Sequence, residues 1–116
     1  MSTEEFKDKY SLDQRKDESN RIRDKYPDRV PVIVDQRGSS LGVLDKRKFL
    51  VPGDLTAGQF IYVIRKRIKL PPETAMFGFI GNTLTQSEIT MQQLYHEHVA
   101  EDGFLYITIA GENTFG

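Results

Sequence analysis

One stretch of this chain constrains its fold more than any other. Thr56-Ala57-Gly58-Gln59 opens a segment in which Phe60, Val63, Ile64 and Ile68 recur at helical spacing, and Pro71-Pro72 ends it. A hydroxyl followed three residues later by an amide is a capping box, so the helix has a defined start as well as a defined stop. A helix with one apolar stripe must bury that stripe against a partner. The partners on offer are four short β-prone runs: Val30-Pro31-Val32-Ile33-Val34, Lys48-Phe49-Leu50-Val51-Pro52, Phe77-Gly78-Phe79-Ile80 and Leu105-Tyr106-Ile107-Thr108-Ile109. A sheet wrapped over a single helix satisfies both sides.

Other caps and breakers fill in the order. Ser2-Thr3-Glu4-Glu5 and Ser11-Leu12-Asp13-Gln14 are both capping boxes and predict two helices at the start. The second carries Leu12, Ile22 and Tyr26 among charges and stops at Pro27, because the residue before proline resists the helical region. Thr90-Met91-Gln92-Gln93 opens a further helix with Met91, Leu94, Tyr95 and Val99 inward and Gly103 closing it. The expected fold class is α+β: a ubiquitin-like β-grasp, with a four-stranded mixed sheet over a central helix and two extra N-terminal helices. Residues 1–26 form the helical extension, 27–110 the β-grasp domain and 111–116 a flexible tail, within a single domain overall.

At 116 residues the chain has room for one core and no separate catalytic domain. The absence of cysteine removes disulfides, thiol nucleophiles and cysteine-ligated zinc. A formal net charge of -1 predicts no bulk attraction to nucleic acid. The distribution is uneven: every Lys and Arg lies at or before Lys69, and the charged residues after it are all acidic. Between Arg37 and Lys69 basic residues face only Asp45 and Asp54, so one surface should be positive and suit an acidic partner or an anionic membrane face. The longest apolar runs fall short of the ~20 residues of a membrane helix. Any membrane attachment is then expected to be borrowed.

Two motifs suggest chemistry and do not sustain it. Gly38-Ser39-Ser40-Leu41-Gly42 fits the nucleophile elbow of serine hydrolases, but that elbow needs a following helix and a large sheet, and here a basic strand follows. His96 and His98 stand two apart near a helix end, without a third ligand, so a metal site is not expected. No catalytic residues and no cofactor are assigned. The terminal Gly116 is different, since a glycine at the end of a polar spacer can carry a bare carboxylate into a narrow channel, and it is the candidate reactive group.

Several runs together resemble the autophagy-related protein 8 family: Lys25-Tyr26-Pro27-Asp28-Arg29-Val30-Pro31-Val32-Ile33-Val34, Leu44-Asp45-Lys46-Arg47-Lys48-Phe49-Leu50-Val51-Pro52, and Gly58-Gln59-Phe60 with Ile64-Arg65-Lys66-Arg67. Met91, Leu94-Tyr95, Glu101-Asp102, Phe104-Leu105-Tyr106 and the closing Phe115-Gly116 extend the similarity along the chain. Gln36 to Val43, Gly78 and Gly81-Asn82-Thr83 depart from the family pattern.

The resemblance implies a ubiquitin-like modifier rather than an enzyme. An activating enzyme would adenylate the Gly116 carboxylate, thiols of that enzyme and of a conjugating enzyme would hold it as a thioester, and the amine of phosphatidylethanolamine would accept it. A cysteine protease would process and deconjugate the chain. The cytoplasmic protein would then sit on autophagosomal and vacuolar or lysosomal membranes and recruit cargo receptors bearing acidic aromatic-x-x-aliphatic motifs. For the aromatic side chain the family pattern implies a pocket of Glu18, Ile22, Pro31, Ile33, Lys48, Leu50 and Phe104. For the aliphatic one it implies Phe49, Val51, Pro52, Leu55, Phe60 and Val63, with Lys46, Arg47 and Arg67 contacting the upstream acids. The alternative is a non-conjugated adaptor in vesicle trafficking or microtubule association, using the same groove.

Overall fold

The computed structural model describes residues 3–38, 41–42 and 44–111. Its elements are α1 (Thr3–Lys9), α2 (Leu12–Lys25), β1 (Arg29–Arg37), β2 (Lys48–Pro52), α3 (Ala57–Ile68), β3 (Met76–Ile80), β4 (Thr83–Leu84), α4 (Met91–His98) and β5 (Leu105–Gly111). The strands form one mixed sheet in the order β2-β1-β5-β3-β4. β1 and β5 run parallel at its centre, from Val32 opposite Leu105 to Arg37 opposite Ala110, and the other pairings are antiparallel.

The sheet has five strands where four were expected. The fifth, Thr83–Leu84, is a two-residue hairpin partner of β3 that turns through Gly81 at φ 61, and two residues cannot display an alternating pattern. β1 also runs three residues past Val34, because the polar Asp35-Gln36-Arg37 still pairs its backbone with β5. Between β1 and β2, Leu41 and Leu44 are buried in the core.

Strand alternation assigns the two faces. Val30, Val32 and Val34 of β1 and Leu105, Ile107 and Ile109 of β5 face α3, which returns Ala57, Phe60 and Ile64. Fully burying a side chain of this size contributes roughly 1.5–3 kcal/mol, so this layer holds the fold. The Thr56 cap is complete in both directions, Gln59 N to Thr56 Oγ1 at 3.2 Å and Thr56 N to Gln59 Oε1 at 2.9 Å. The helix ends on Lys69 in the left-handed region, two residues before Pro71. Val63 leaves the expected stripe and is 45% exposed. Arg65 donates to the carbonyls of Thr74, Pro71 and Pro72 and pins the loop that follows.

The opposite face carries the N-terminal helices. Phe6 of α1, Ile22 of α2, Ile33 of β1 and Phe104 form a second buried cluster, with Tyr10, Leu50 and Tyr106 around it. Phe6 meets Phe104 edge-on at 5.3 Å between ring centroids, a favoured arrangement for two quadrupoles. Ser11 and Gln14 complete the capping box that starts α2, whereas the box expected at Ser2 lies outside the described residues. α4 ends at His98 rather than at Gly103, and Gly103, at φ 87, instead serves the turn into β5. A Cβ there would stand 2.2 Å from Ser19 Oγ, so only glycine lets this turn pass under α2. Tyr26 and Val99, expected to contribute to the helix interiors, are both partly exposed. Among the described residues no helix is long and apolar enough to cross a membrane.

Candidate peptide-docking site

β2 is paired on one side only, with β1, and is therefore an edge. The parity of its ladder can be read from one bond beyond it, Val34 N to Arg47 O at 2.8 Å. In an antiparallel pair, directly opposed residues alternate between hydrogen-bonded and non-bonded. Val34 with Arg47, Val32 with Phe49 and Val30 with Val51 are then the bonded pairs. Pro31, which has no N–H to give, sits opposite Leu50 in a non-bonded pair. The backbone N–H and C=O groups of Lys48 and Leu50 consequently point away from β1, toward the open edge. The Leu50 carbonyl receives a long bond from Arg29 Nη1 at 3.3 Å.

The side chains of β2 divide between the two faces. Lys48 and Leu50 lie on the side of α2, where Lys48 Nζ pairs with Glu18 Oε1 and Leu50 packs against the Ile22, Ile33 and Phe104 cluster. Phe49 and Val51 lie on the side of α3 with Phe60, and Leu55 packs at the rim of that core. The Phe49 ring meets Phe60 edge-on at 5.7 Å, and Lys46 Nζ stands 5.0 Å from its centroid.

On the α2 side a groove of about 490 Å³ runs beside the edge. Leu50, Ile22 and Tyr26 give it apolar walls, while Arg21, Lys25, Arg29, Lys46 and Lys48 make its rim basic around the single acid Glu18. Tyr26, Arg21, Lys25 and Arg29 were not among the expected contacts. The signal for the helical ones was available, since Glu18, Ile22 and Lys25-Tyr26 recur at the three-to-four spacing of one helix face.

Of the expected aromatic-pocket residues, Glu18, Ile22, Lys48 and Leu50 line this groove, while Pro31, Ile33 and Phe104 are buried beneath it. Of the expected aliphatic set, Phe49, Val51 and Phe60 are buried, Leu55 is half-buried, and Val63 and Pro52 are exposed. The three expected charge contacts separate. Lys46 reaches the groove, Arg67 is engaged by Asp45 at 2.9 Å, and Arg47 turns inward to a smaller cavity. Gly116, the expected site of conjugation, lies outside the described residues.

Comparison with known proteins converges on one family. The family described as "Autophagy protein Atg8 ubiquitin like" matches residues 14–116. Autophagy-related protein 8 of Schizosaccharomyces pombe is 58% identical over 113 residues, covering 97% of this chain and 93% of its own. Autophagy-related protein 8a of Arabidopsis thaliana is 56% identical over 117 residues, covering 100% of this chain and 96% of its own. Among solved structures, the crystal structure of Trypanosoma brucei ATG8 superposes with a TM-score of 0.88 at 41% identity, over 96% of this chain and 97% of that one. A Plasmodium falciparum Atg8 in complex with a Plasmodium falciparum Atg3 peptide superposes with a TM-score of 0.82 at 31% identity, over 91% and 97%. With its β-grasp sheet, its two leading helices and relatives this similar over nearly its whole length, the chain belongs to the Atg8 family of ubiquitin-like autophagy proteins.

Proposed function

We propose that this protein is a modifier joined through the Gly116 carboxyl group to phosphatidylethanolamine, and that on autophagic membranes it recruits partners carrying acidic aromatic-x-x-aliphatic motifs. The observation that carries the docking half is the edge of β2. Its outward-facing backbone groups at Lys48 and Leu50, of which among the described residues only the Leu50 carbonyl is engaged, by a long bond from Arg29, suit an added peptide strand. On an extended peptide, residues three apart project to opposite sides of the strand. The two apolar sets flanking β2 also lie on opposite sides, Ile22 and Leu50 toward α2, Phe49 and Val63 toward α3. An aromatic and an aliphatic anchor at that odd spacing therefore reach one set each. Arg21, Lys25, Arg29 and Lys46 around the groove suit acids upstream of the aromatic residue, which speed encounter and make it sensitive to salt.

The conjugation half is supported by the family and by the solved Plasmodium complex with an Atg3 peptide. An adduct with a two-chain lipid would anchor the protein firmly, at ~0.8 kcal/mol per buried methylene, where one chain anchors marginally. The test is to incubate the protein and its Gly116→Ala variant with family activating and conjugating enzymes, ATP and phosphatidylethanolamine vesicles, and to weigh the products by mass spectrometry. A lipid-sized gain in the parent alone is expected. Equal gains in both would remove Gly116 from the reaction, and no gain with the cognate enzymes would favour a soluble adaptor working through the same groove.

A further inference from the structure

Away from the peptide groove, several elements meet where β5 ends. Its last residue, Gly111, pairs with Met76 at the start of β3, and Ala110 pairs with Arg37 at the end of β1. The helix α3 reaches the same end, because Arg65 donates to the carbonyls of Pro71, Pro72 and Thr74 and so folds the last turn against the approach to β3. Arg37, Lys66 and Lys69 are exposed here, and among the described residues none of the three is in an ion pair. Arg37 lies over the Phe79 ring at 5.5 Å and Lys66 over the Tyr62 ring at 5.0 Å, contacts that place a charge without neutralising it. Of the acids at this end, Asp45 is engaged by Arg67 at 2.9 Å and the half-buried Asp35 accepts from the Gln36 N–H at 2.8 Å. Among the described residues this leaves the exposed Glu73 to oppose the three cations.

We infer that this end of the molecule, through Arg37, Lys66 and Lys69, docks on anionic phospholipid headgroups when the chain is attached to a membrane by its terminus. The inference rests on the reading of Gly116 as the point of attachment. Residues 112–116 follow the end of β5, and five residues span at most about 17 Å. A lipid-linked chain therefore keeps this end beside the bilayer at high effective concentration. Near an anionic leaflet each cation is worth roughly fivefold in binding, and the attraction fades over about 8–10 Å. Three such charges are too few to hold a free protein on a membrane, but they suffice to orient a tethered one.

The chain has no cysteine, so Gly116→Cys supplies a single thiol for coupling to a maleimide lipid. Chemical attachment makes the result independent of whether enzymes use Gly116, so a failure of conjugation and a failure of this inference are read separately. The tethered full-length protein is placed on phosphatidylcholine nanodiscs with and without phosphatidylserine, each carrying a gadolinium-headgroup lipid, and amide relaxation is measured by NMR. Phosphatidylserine should raise the paramagnetic relaxation of Arg37, Lys66 and Lys69 by roughly threefold or more, while Asp28 and Gly53, at the other end of β1 and β2, should not gain. High salt should erase the gain, as should the combined Arg37→Glu, Lys66→Glu and Lys69→Glu variant, whose three positions are exposed and whose amide spectrum verifies the fold. Arg21→Glu with Lys25→Glu, on the groove rim, should leave it intact. Equal relaxation with and without phosphatidylserine, a gain that survives the triple reversal, or a gain abolished by the groove variant would each overturn the inference. So would a triple variant that loses only its charging by the activating enzyme, which would assign this end to an acidic surface of that enzyme.

Discussion

Arg15 in α2 sets its Nη1 2.7 Å from Oδ2 of Asp102, a residue 87 positions later in the turn that leads into β5. Asp102 is 1% exposed and is satisfied on every side: Phe104 N donates to its Oδ1 at 3.0 Å, the Tyr106 hydroxyl donates to its Oδ2, and its own carbonyl accepts from Ser19 Oγ at 2.6 Å. This one carboxylate holds the N-terminal helices to the β-grasp core, and with them the wall of the groove that Glu18 and Ile22 supply.

Breaking a buried pair by removing one partner typically costs about 3–5 kcal/mol, because a charge is left uncompensated. Arg15→Ala, which strands the buried Asp102 carboxylate, should therefore lower the unfolding free energy by about 3 kcal/mol, and Asp102→Ala by a similar amount, since Arg15 keeps some access to water but the Phe104 N–H and the Tyr106 hydroxyl lose their acceptor. Urea denaturation followed by circular dichroism checks this. A loss under about 1 kcal/mol for Asp102→Ala would class the pair with ordinary surface bridges.

The Tyr106 phenol titrates well above its usual range, first because burial disfavours the phenolate and then because it donates to the charged Asp102. Tyr95 is raised too, chiefly by burial. A folded-state pKa above the unfolded value gives stability that is complete below the unfolded pKa, near 10, and is lost as pH rises from there toward the folded value. Stability should accordingly be flat in this respect up to about pH 9 and fall beyond pH 10, and Tyr106→Phe should show a shallower fall. Denaturation curves at pH 8 and pH 11 for both proteins decide it, and identical slopes would remove Tyr106 from the effect.

Much of this architecture was legible because local chemistry and global fold agree. The limits of β2 at Lys48 and Pro52, and the caps at Ser11 and Thr56, follow from short-range rules and are found where those rules put them. What escaped depends on distant partners. Asp35-Gln36-Arg37 reads as polar loop, yet β5 alongside makes it strand. Val63 is three residues from the buried Phe60, but the buried stripe of α3 follows Ala57, Phe60 and Ile64, and Val63 lies off its edge and is exposed. Arg47 stands in a row of three cations, and nothing in the row tells that Lys46 reaches the groove while Arg47 turns to the smaller cavity. The Arg15–Asp102 bond links two polar residues that no periodicity connects.

Gly78 in β3 admits the neighbouring α3 side chain. A Cβ at this position would stand 2.7 Å from Ile61 Cδ1 and 3.3 Å from Thr85 Oγ1. Overpacking costs typically 1–3 kcal/mol, and because the atom in the way is the movable end of a half-buried side chain, Gly78→Ala should destabilise at the low end, by about 1 kcal/mol. Ile61→Val removes the atom in the way, and in the double variant part of the loss should return as a favourable coupling of at least about 0.5 kcal/mol. Thermal or urea melts of the four proteins supply the cycle, and strict additivity would mean that Ile61 is not what the glycine accommodates.

The opposite-face geometry at β2 makes a demand on partner peptides that the composition of the groove alone would not. Leu50 lies on the α2 side and Val63 on the α3 side, so the two anchors of a bound peptide must have odd separation. Isothermal titration of an acidic aromatic-x-x-aliphatic peptide should show at least a tenfold loss of affinity, ~1.4 kcal/mol, with Leu50→Ala. A double-mutant cycle should couple Leu50 to the aromatic residue and Val63 to the aliphatic one, with cross terms no larger than about 0.5 kcal/mol. Inserting one residue, to give aromatic-x-x-x-aliphatic, turns both anchors to the same side and should cost at least as much as removing one of them. Undiminished binding of the inserted peptide would show that the partner does not add to β2 as an extended strand.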